Sequence, residues 1–383
     1  MMNKIIVILP SKNESVNIAH ITKIVDIGLS TYYQNVKSLI LNIDSSSSDN
    51  TVEIFKSVHT KTQKKSLILG KEEIGKGFNL KAGIQYGLLN NYQYFMTVDS
   101  DVKSIEPYWI SSYLDRLILF SDDFVVPIYK RNRYEGNTTN HFSSPLFYLC
   151  FGIDVQQPIA GDFAFNRSIA ERILNAFEVP SDYGYGVDTM MTWTALMSTN
   201  KFSQIHLGRK LHNPSFSKII DIFSQVCFST LYRINKHRET VLEILGSGSY
   251  CLPNLQPNLD IDYCLRPDDG QIEKIRRFAQ DISRKNSTID NEHFENIPFD
   301  SDAYLNQLSS CILSVLVNSS LSSSDISLIT NHLLSLYLLR VISYFDFIDN
   351  VGVKNISQYW VEQKLKLVDI IKSRLLFERS NQG

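Results

Sequence analysis

The chain has 383 residues, which is enough for two domains or for one large α/β domain with an appendage. Its formal net charge is −2, so bulk electrostatics give no reason to expect a nucleic-acid partner. The five cysteines are odd in number and form no Cys-x-x-Cys pair. This pattern favours reduced thiols over a disulfide framework.

Secretory and membrane classes are also disfavoured. The first apolar run, residues 5–9, is too short for a signal peptide and is followed at once by polar residues 11–14. No run of 18 apolar residues occurs, so we expect no membrane-spanning helix. The sequence therefore predicts a cytoplasmic protein.

The N-terminal third alternates apolar, β-branched runs with stretches of helical periodicity. Such alternation predicts a parallel, doubly wound α/β sheet. The four predicted strands cover residues 4–9, 38–43, 66–69 and 92–98, and the helices between them begin near residues 14, 51 and 79.

Each of these strands ends in polar or glycine-containing residues. The four strand ends are Pro10 to Glu14, Asp44 to Asp49, Gly75-Lys76-Gly77 and Asp99-Ser100-Asp101. In an open α/β sheet, ligands bind outside the carboxyl ends of the strands. Two acids separated by one small residue can hold a divalent cation that keeps positions for water and phosphate oxygens. Because all four polar strand ends are expected at the same edge of the sheet, together they predict a binding crevice there.

Each strand end also has a simpler structural interpretation. Asp99-Ser100-Asp101 could be a polar strand exit or a helix cap, and residues 44–49 could be an Asx-turn with a cap. Glu14 could cap a helix or accept hydrogen bonds from a base or ribose. Gly75-Lys76-Gly77 lacks the full phosphate-loop signature. Its functional interpretation is that the glycines let the backbone approach a diphosphate while Lys76 supplies a point charge.

Together with three later segments, these motifs resemble the GT-A fold glycosyltransferases that use nucleotide-sugar donors. The closer resemblance is to the retaining group that makes mannosylglycerate, glucosylglycerate and glucosyl-3-phosphoglycerate. The later segments are Gln157-Pro158-Ile159-Ala160-Gly161-Asp162, Asp182-Tyr183-Gly184-Tyr185-Gly186-Val187-Asp188 and Leu211-His212-Asn213. The resemblance extends from about residue 4 to 240.

The resemblance implies a Rossmann-like GT-A domain in residues 1–215 that binds nucleotide sugar and metal. It implies a helical region in residues 216–383 that completes the acceptor side. For the donor it implies contacts by Pro10, Glu14, Asp44, Ser45, Lys76, Asp99, Ser100 and Gly161. For the acceptor it implies Arg131, Asn137, Thr138, Thr139, Asp162 and Tyr185. It implies Asp101 and His212 as ligands of Mg²⁺ or Mn²⁺, and Asp188, Asp162 and Lys76 as catalytic residues.

These residue types suit the implied reaction. Breaking a sugar–phosphate bond builds negative charge on the leaving diphosphate, which a metal ion and Lys76 would stabilise. Oxygen ligands with one imidazole suit Mg²⁺ or Mn²⁺. A retaining outcome requires a carboxylate nucleophile, for which Asp188 and Asp162 are the candidates, or front-face attack assisted by the leaving phosphate. The residues do not choose between the two, and the resemblance favours front-face attack.

The acceptor and donor stay open at this point. Relatives that use phosphoglycerate carry a Gly-Arg-x-Thr segment, whereas this chain has Gly136-Asn137-Thr138-Thr139. Loss of that arginine favours free D-glycerate or another small hydroxy acid. In contrast, Asp44-Ser45 and residues 98–101 look more like the glucosyl-3-phosphoglycerate branch. The donor could be GDP-mannose, UDP-glucose or GDP-glucose.

Two other classes are weighed against this one. A sugar nucleotidylyltransferase would need a glycine-rich loop after the first strand, and residues 9–14 contain no glycine. A non-catalytic nucleotide-sugar-binding protein is disfavoured because Lys76, Asp99, Asp101 and His212 are all present.

Beyond residue 215 the sequence becomes mainly helical. Apolar residues at helical spacing predict helices over residues 219–231, 305–317 and 333–347. Residues 246–269 predict a loop, and residues 318–325 an exposed connection. Polar residues interrupt 333–347, so we expect a buried helix or an oligomer contact there and not a membrane span. We also expect a homo-oligomer.

Overall fold

The computed structural model describes residues 4–213, 215–254, 259–260, 265–285, 302–351 and 356–381. The chain forms two compact units. The first comprises Met1–Lys130 and Ile159–Pro214, and the second comprises Arg131–Pro158 and Ser215–Gly383. The second unit thus contains an internal segment of the chain as well as the expected C-terminal part.

The sheet is mainly parallel, and its strands follow the order β3-β2-β1-β4-β6-β5-β7. The strands are β1 (Lys4–Ser11), β2 (Lys37–Asp44), β3 (Gln63–Ile68), β4 (Tyr94–Thr97), β5 (Phe124–Asn132), β6 (Phe163–Asn166) and β7 (Phe202–Arg209). The last two residues of β5, which belong to the second unit, pair with the short β8 (Leu259–Asp260).

Helices connect these strands and form the second unit. In chain order they are α1 (Ile18–Tyr32), α2 (Thr51–Ser57), α3 (Lys76–Leu89), α4 (Pro107–Ile118), α5 (Ser144–Phe151), α6 (Arg167–Leu174), α7 (Gly186–Leu196), α8 (Ile219–Lys236), α9 (Arg238–Ser247), α10 (Asp269–Lys285), α11 (Ala303–Val317), α12 (Ser323–Val351) and α13 (Ile356–Asn381). The mixed α/β fold with a helical C-terminal region confirms the predicted fold class.

The four predicted strands correspond to β1 to β4. Residues 5–9 of β1 are fully buried, and β1 pairs in parallel with both β2 and β4. A strand covered by helices on both faces needs apolar side chains on both faces, which explains the continuous apolar run. The β4 strand ends at Thr97, so the acids at 99 and 101 follow the strand directly.

One strand of the sheet is antiparallel to its neighbours. The four-residue β6 lies between β4 and β5 and is antiparallel to both. Phe163, at the start of β6, pairs with Thr97, at the end of β4. The four strands for which a parallel arrangement was predicted, β1 to β4, are parallel to one another, and β6 is a later strand that the prediction did not cover. The reversal brings the segment just before β6, residues 161–162, to the carboxyl edge of the parallel strands.

The predicted C-terminal helices are confirmed within α8, α11 and α12. A loop was predicted over residues 246–269. Among the described residues of this range, regular secondary structure is limited to the end of α9, the two residues of β8 and the first residue of α10. Residues 255–258 and 261–264 lie outside the described residues. The predicted connection 318–325 is shorter than expected because α12 begins at Ser323. Four cysteines, at 150, 227, 251 and 311, are free thiols, as expected, while Cys264 lies outside the described residues.

Among the described helices, one is long and apolar enough to cross a membrane by length and composition. It covers Ser323–Asn350, and 67% of its most apolar window is buried inside the protein. Its Tyr337 ring stacks on Phe223 of α8 with the ring centroids 3.9 Å apart. The core helix of a soluble protein meets the same length and composition test, so this helix is weak grounds for a membrane span.

Candidate functional site

Lys76 lies at the centre of a charged cluster at the carboxyl edge of the sheet. Its Nζ atom is 2.7 Å from Asp99 Oδ1 and 3.1 Å from Asp188 Oδ1. Lys76 is the first residue of α3, Asp99 follows β4, and Asp188 lies in the first turn of α7. Three elements that are distant in the sequence therefore bring one cation between two carboxylates.

The electrostatics of this cluster depend on burial and on the shared cation. Burial acts to raise the pKa of Asp99, but the charges of Lys76 and Lys210 lower that pKa to about 2. For Asp188, burial outweighs the attraction of Lys76, and its pKa is raised. Burial acts to lower the pKa of Lys76, but the charges of Asp188 and Asp99 outweigh burial and raise that pKa. Asp99 is therefore the carboxylate that stays ionised most firmly.

A second lysine, which the sequence reasoning missed, completes the cluster. Lys210 is buried directly after β7, and its Nζ donates to Asp162 Oδ2 at 2.7 Å and to the Ala160 carbonyl at 2.8 Å. It also lies 3.6 Å from Asp99 Oδ2. The available signal was its position at a strand end, the same signal that singled out the acids.

Asp162 is held by protein donors at both of its oxygens. The Asp99 backbone N–H donates to Oδ1 at 2.7 Å, and the Tyr129 hydroxyl and Lys210 donate to Oδ2 at 2.8 and 2.7 Å. Asp162 is also buried. A carboxylate with three donors and little exposure is suited to positioning its neighbours, and less suited to attacking a substrate.

The predicted metal ligands are Asp101 and His212, and His212 lies close enough for its charge to act on Asp101. Burial and the charge of Asp99 raise the pKa of Asp101, while the charge of His212 lowers it. The His212 Nδ1 atom is 2.7 Å from the Asn213 carbonyl oxygen. This contact fits the tautomer with a proton on Nδ1, which puts the ligating lone pair on Nε2.

This donor set fits a metal that is bound together with a ligand. Across the residues that the structure describes, no group of three or more His, Cys, Asp or Glu side chains forms a complete metal cage. A carboxylate and an imidazole would leave most coordination positions of Mg²⁺ or Mn²⁺ to phosphate oxygens and water.

Three glycines at this edge are required by close contacts. Gly161 has φ +91°, and a Cβ there would lie under 3 Å from Asp99 Oδ2 and Lys76 Nζ. A Cβ on Gly75, which has φ +142°, or on Gly77 would overlap the backbone of Tyr183 or Asp182. Gly75 and Gly77 therefore let their backbone pack closely against the 3₁₀ turn Pro180–Tyr183. The sequence had predicted a close approach to a diphosphate in place of this turn.

Two residues predicted to contact the nucleoside, Asp44 and Ser45, make hydrogen bonds to other residues of the protein. Asp44 is fully buried and accepts hydrogen bonds from the Ser11 hydroxyl at 2.8 Å and from the Ser47 N–H at 2.7 Å. Ser45 donates to Asn79 Oδ1 at 2.5 Å. The Asx-turn interpretation of residues 44–49 therefore describes the local structure.

The other predicted donor contacts tie neighbouring segments together. The Ser100 hydroxyl donates to the Pro10 carbonyl at 2.7 Å, which links the acidic pair to the end of β1. Glu14 accepts a hydrogen bond from the Asn17 side chain at 2.8 Å, just before α1. The nucleoside-binding roles of these residues remain predictions.

The predicted acceptor residues fall into both compact units. Asp162 and Tyr185 belong to the first unit, whereas 131 and 137–139 belong to the second. Arg131 Nε donates to Gln157 Oε1 at 3.2 Å, and both Arg131 and Thr139 line a cavity of the second unit. Asn137 donates to the Tyr134 carbonyl at 2.8 Å, and Thr138 Oγ1 lies 2.9 Å from the Tyr337 hydroxyl. These last two side chains anchor their segment and do not line the cavity.

Comparison with known protein families gives a match in the N-terminal half of the chain. The family Glycosyl transferase family 2 matches residues 6–174. A comparison with curated proteins finds no match.

Similar solved structures include glucosyl-3-phosphoglycerate synthase from Mycobacterium tuberculosis. Its complex with Mg²⁺ and UDP has 21% identity and a TM-score of 0.49, aligned over 60% of this chain and 79% of that chain. Its complex with Mn²⁺, UDP-glucose and phosphoglyceric acid has 21% identity, a TM-score of 0.48 and the same coverage. Likeness at this level does not transfer their ligands to this chain. Residues 6–174, which include most of β1 and the strands β2 to β6 of the mixed α/β sheet, are therefore similar to this glycosyltransferase family.

Proposed function

We propose that this protein transfers a hexose from a nucleotide-diphosphate sugar to a small hydroxy acid such as D-glycerate, with retention and with the help of a divalent metal. The observation that carries the proposal is the cluster in which Lys76 and Lys210 contact Asp99, Asp162 and Asp188 at the carboxyl edge of the sheet. A glycosyltransferase domain with such a cluster has both charge stabilisation and a fixed geometry for a sugar diphosphate.

The donor would bind at this edge with the metal. Asp101 and His212 would ligate Mg²⁺ or Mn²⁺, which supplies charge stabilisation of the leaving diphosphate when it is bound. Lys76 would add a second positive charge close to the same oxygens, and Asp99 would lie on the ribose and sugar side. Gly161, which has no side chain to block the space beside Asp99, would let the transferred sugar approach.

The state of the acids favours front-face attack over a covalent intermediate. Asp162 has its oxygens occupied by three protein donors. Asp188 is paired with Lys76, and burial raises its pKa, which lowers the share of its nucleophilic, ionised form. Neither acid is therefore well prepared as a nucleophile. In front-face attack, an oxygen of the leaving phosphate would assist the acceptor hydroxyl, and no carboxylate nucleophile would be needed.

The acceptor is proposed to be a free hydroxy acid. Arg131 would bind its carboxylate, because the planar guanidinium matches a carboxylate in a bidentate manner. Asn137 stands where the phosphoglycerate-using relatives have arginine, and its amide is engaged with the Tyr134 carbonyl. 3-Phosphoglycerate remains the alternative acceptor, because residues 98–101 resemble that branch of the group.

A donor and acceptor screen tests this proposal. Nucleotide release would be followed for UDP-glucose, GDP-glucose and GDP-mannose with Mg²⁺ or Mn²⁺, with and without D-glycerate or 3-phosphoglycerate. We expect metal-dependent release from one donor, stimulated by D-glycerate, and a product with the anomeric configuration of the donor. No response to any sugar nucleotide would contradict the proposal, and stimulation by 3-phosphoglycerate alone would select the alternative acceptor.

A further inference from the structure

One buried carboxylate of the first unit joins the two chain segments that carry the predicted metal ligands. Asp101 lies two residues after Asp99 in the first segment. His212 lies two residues after Lys210 in the second. The Asp99 backbone N–H donates to Asp162 Oδ1 at 2.7 Å, and the Lys210 ammonium donates to Asp162 Oδ2 at 2.7 Å. Asp162 therefore bridges the two segments, each at the same distance along the chain from its ligand.

Two further hydrogen bonds join these segments close to the ligands. The Lys103 N–H donates to the Leu211 carbonyl at 2.7 Å, and the Leu211 N–H donates to Ser104 Oγ at 2.8 Å. These bonds join neutral groups, whereas the bridge through Asp162 joins a carboxylate to an ammonium group. Charged hydrogen bonds are roughly twice as strong as neutral ones. The bridge through Asp162 is therefore the stronger of the two connections.

Tyr129 fixes the orientation of the bridging carboxylate. Its hydroxyl donates to Asp162 Oδ2 at 2.8 Å, and the Lys210 ammonium lies over its ring, 4.9 Å from the centroid. The Tyr113 hydroxyl lies 3.3 Å from the Tyr129 hydroxyl and donates to the Asp162 backbone carbonyl at 3.2 Å. The side chains of Asp162 and Lys210 are only 2% and 3% exposed. Burial and these contacts suit the Asp162 carboxylate to holding protein segments in place.

We propose that Asp162 and Tyr129 are positioning residues of the metal site, and that they hold the segments carrying Asp101 and His212 at the separation that one divalent cation requires. The inference rests on the proposed function and deepens it, because it gives Asp162 a role toward the metal in place of contact with the acceptor. Neither side chain has to touch the metal for this role. Residues that orient metal ligands from outside typically change metal affinity by about 10–100-fold when they are altered.

Two variants separate the contribution of the hydroxyl from that of the carboxylate. Tyr129→Phe keeps the ring beside Lys210 and removes the hydroxyl that orients Asp162. Asp162→Asn keeps the shape of the side chain but removes the charge that attracts Lys210, so it should loosen the bridge more. With saturating UDP or GDP, the Kd for Mn²⁺ should rise about tenfold in Tyr129→Phe and about thirtyfold or more in Asp162→Asn.

Electron paramagnetic resonance of the full-length protein measures this affinity without turnover, because it detects the Mn²⁺ that remains free. Isothermal titration calorimetry without metal would measure the affinity for the nucleotide alone. In Tyr129→Phe, which keeps every charge of the site, this second affinity should stay within about twofold of the wild type. A general loss of order in the first unit would weaken both affinities together, whereas a positioning role weakens the affinity for Mn²⁺.

Matched control variants lie at the opposite edge of the sheet. Tyr33 follows α1, and its hydroxyl donates to Asp115 Oδ1 at 2.6 Å, so Tyr33→Phe removes another hydroxyl that is bonded to a carboxylate. Asp123 precedes β5 and accepts a hydrogen bond from the Asn166 side chain, so Asp123→Asn removes another carboxylate that is bonded within the protein. Both variants should bind Mn²⁺ with the affinity of the wild type.

Three results would contradict the inference. If the wild type binds Mn²⁺ with nucleotide and both Tyr129→Phe and Asp162→Asn bind it equally well, the inference fails and the proposed function stands. If the two control variants lose as much affinity for Mn²⁺, the effect is one of general stability and the inference fails in the same way. If the wild type binds no Mn²⁺ with either nucleotide, the proposed metal site itself is rejected, and the inference with it.

Discussion

At the residue scale, Lys76 neutralises two carboxylates, and in the proposed function it would also stabilise a bound diphosphate. Its ammonium group lies between Asp99 and Asp188 at distances typical of direct ion pairs. Removing one partner of a buried ion pair leaves charges without compensation, which costs about 3–5 kcal/mol. The stability of the protein should therefore depend on Lys76 even when no substrate is bound.

Lys76→Met should lower the free energy of unfolding by about 3 kcal/mol at neutral pH. In the wild type, the Asp99 pKa of about 2 lies below its ordinary value of 3.8, so its contribution is complete above about pH 4 and is lost only towards pH 2. Without Lys76, burial would raise the pKa values of Asp99 and Asp188. A carboxyl with a raised folded-state pKa contributes stability at low pH and loses it as the pH rises.

Urea unfolding between pH 5 and pH 8 checks this prediction. The difference between wild type and Lys76→Met should grow with pH across this range. Lys71→Met, at an exposed position five residues earlier, should match the wild type throughout. If the loss of unfolding free energy in Lys76→Met were the same at pH 5 and pH 8, the pKa values of Asp99 and Asp188 would not depend on this cation.

Arg131 and Arg133 offer a matched pair for the acceptor side. Arg131 lines the cavity of the second unit, whereas the Arg133 guanidinium lies over the Tyr134 ring, 5.4 Å from its centroid. Arg131→Ala should raise the KM for the acceptor at least tenfold with little change in the KM for the donor, and Arg133→Ala should change neither by more than about twofold. Steady-state kinetics with each substrate varied in turn would show this, and the reverse pattern between the two variants would move the carboxylate contact to Arg133.

At the scale of elements, the edge of the sheet explains which features could be predicted from the sequence. The apolar runs of β1, β2 and β4 and their polar ends are local signals, so the strands and the acids at 44, 99 and 101 were recognisable. The reversed β6 is only four residues long, and its neighbours in the sheet are set by pairing with distant strands. The contacts of Asp162 with Tyr129 and Lys210 depend on that pairing, so the sequence could indicate the place of Lys210 at a strand end but not its partners.

The Gly75–Gly77 segment is a second case in which a local pattern does not reveal a contact with a distant part of the chain. A glycine pair beside a lysine suggests a phosphate-binding loop by local pattern. The structure gives these glycines a protein neighbour, the turn Pro180–Tyr183, which lies about a hundred residues later in the chain. No local pattern could have indicated that contact.

Gly77→Ala should destabilise the first unit by about 1–3 kcal/mol, because a Cβ at this position would overlap the backbone of Asp182 and Tyr183. Gly70→Ala is the control, since the nearest atom to a Cβ there is a flexible Glu73 oxygen at 3.6 Å. Thermal unfolding followed by circular dichroism would compare the two variants. Equal melting temperatures would mean that the turn can move aside.

At the scale of the whole molecule, donor binding should stabilise the folded chain through linkage. A ligand at about 100 times its Kd adds about 2.7 kcal/mol to the free energy of unfolding when only the native state binds it. UDP with Mn²⁺ should therefore raise the melting temperature more than UDP or Mn²⁺ alone.

Asp101→Ala should remove the metal-dependent part of this increase and should abolish transfer. Glu72→Ala, which removes an exposed acid of the same unit, should keep both. Differential scanning fluorimetry and a donor-hydrolysis assay measure the two effects. Unchanged hydrolysis in Asp101→Ala would remove this carboxylate from the metal site.

The contact between Gly75, Gly77 and the turn Pro180–Tyr183 also limits how this sequence can diverge. The atoms that would collide belong to the backbone of Asp182 and Tyr183, so no change of side chain at those two positions can make room for a larger residue at 75 or 77. Only an insertion or deletion that moves the turn could do so. In natural relatives, glycine at 75 and 77 should therefore be lost only together with a change in the length of the segment that leads into α7.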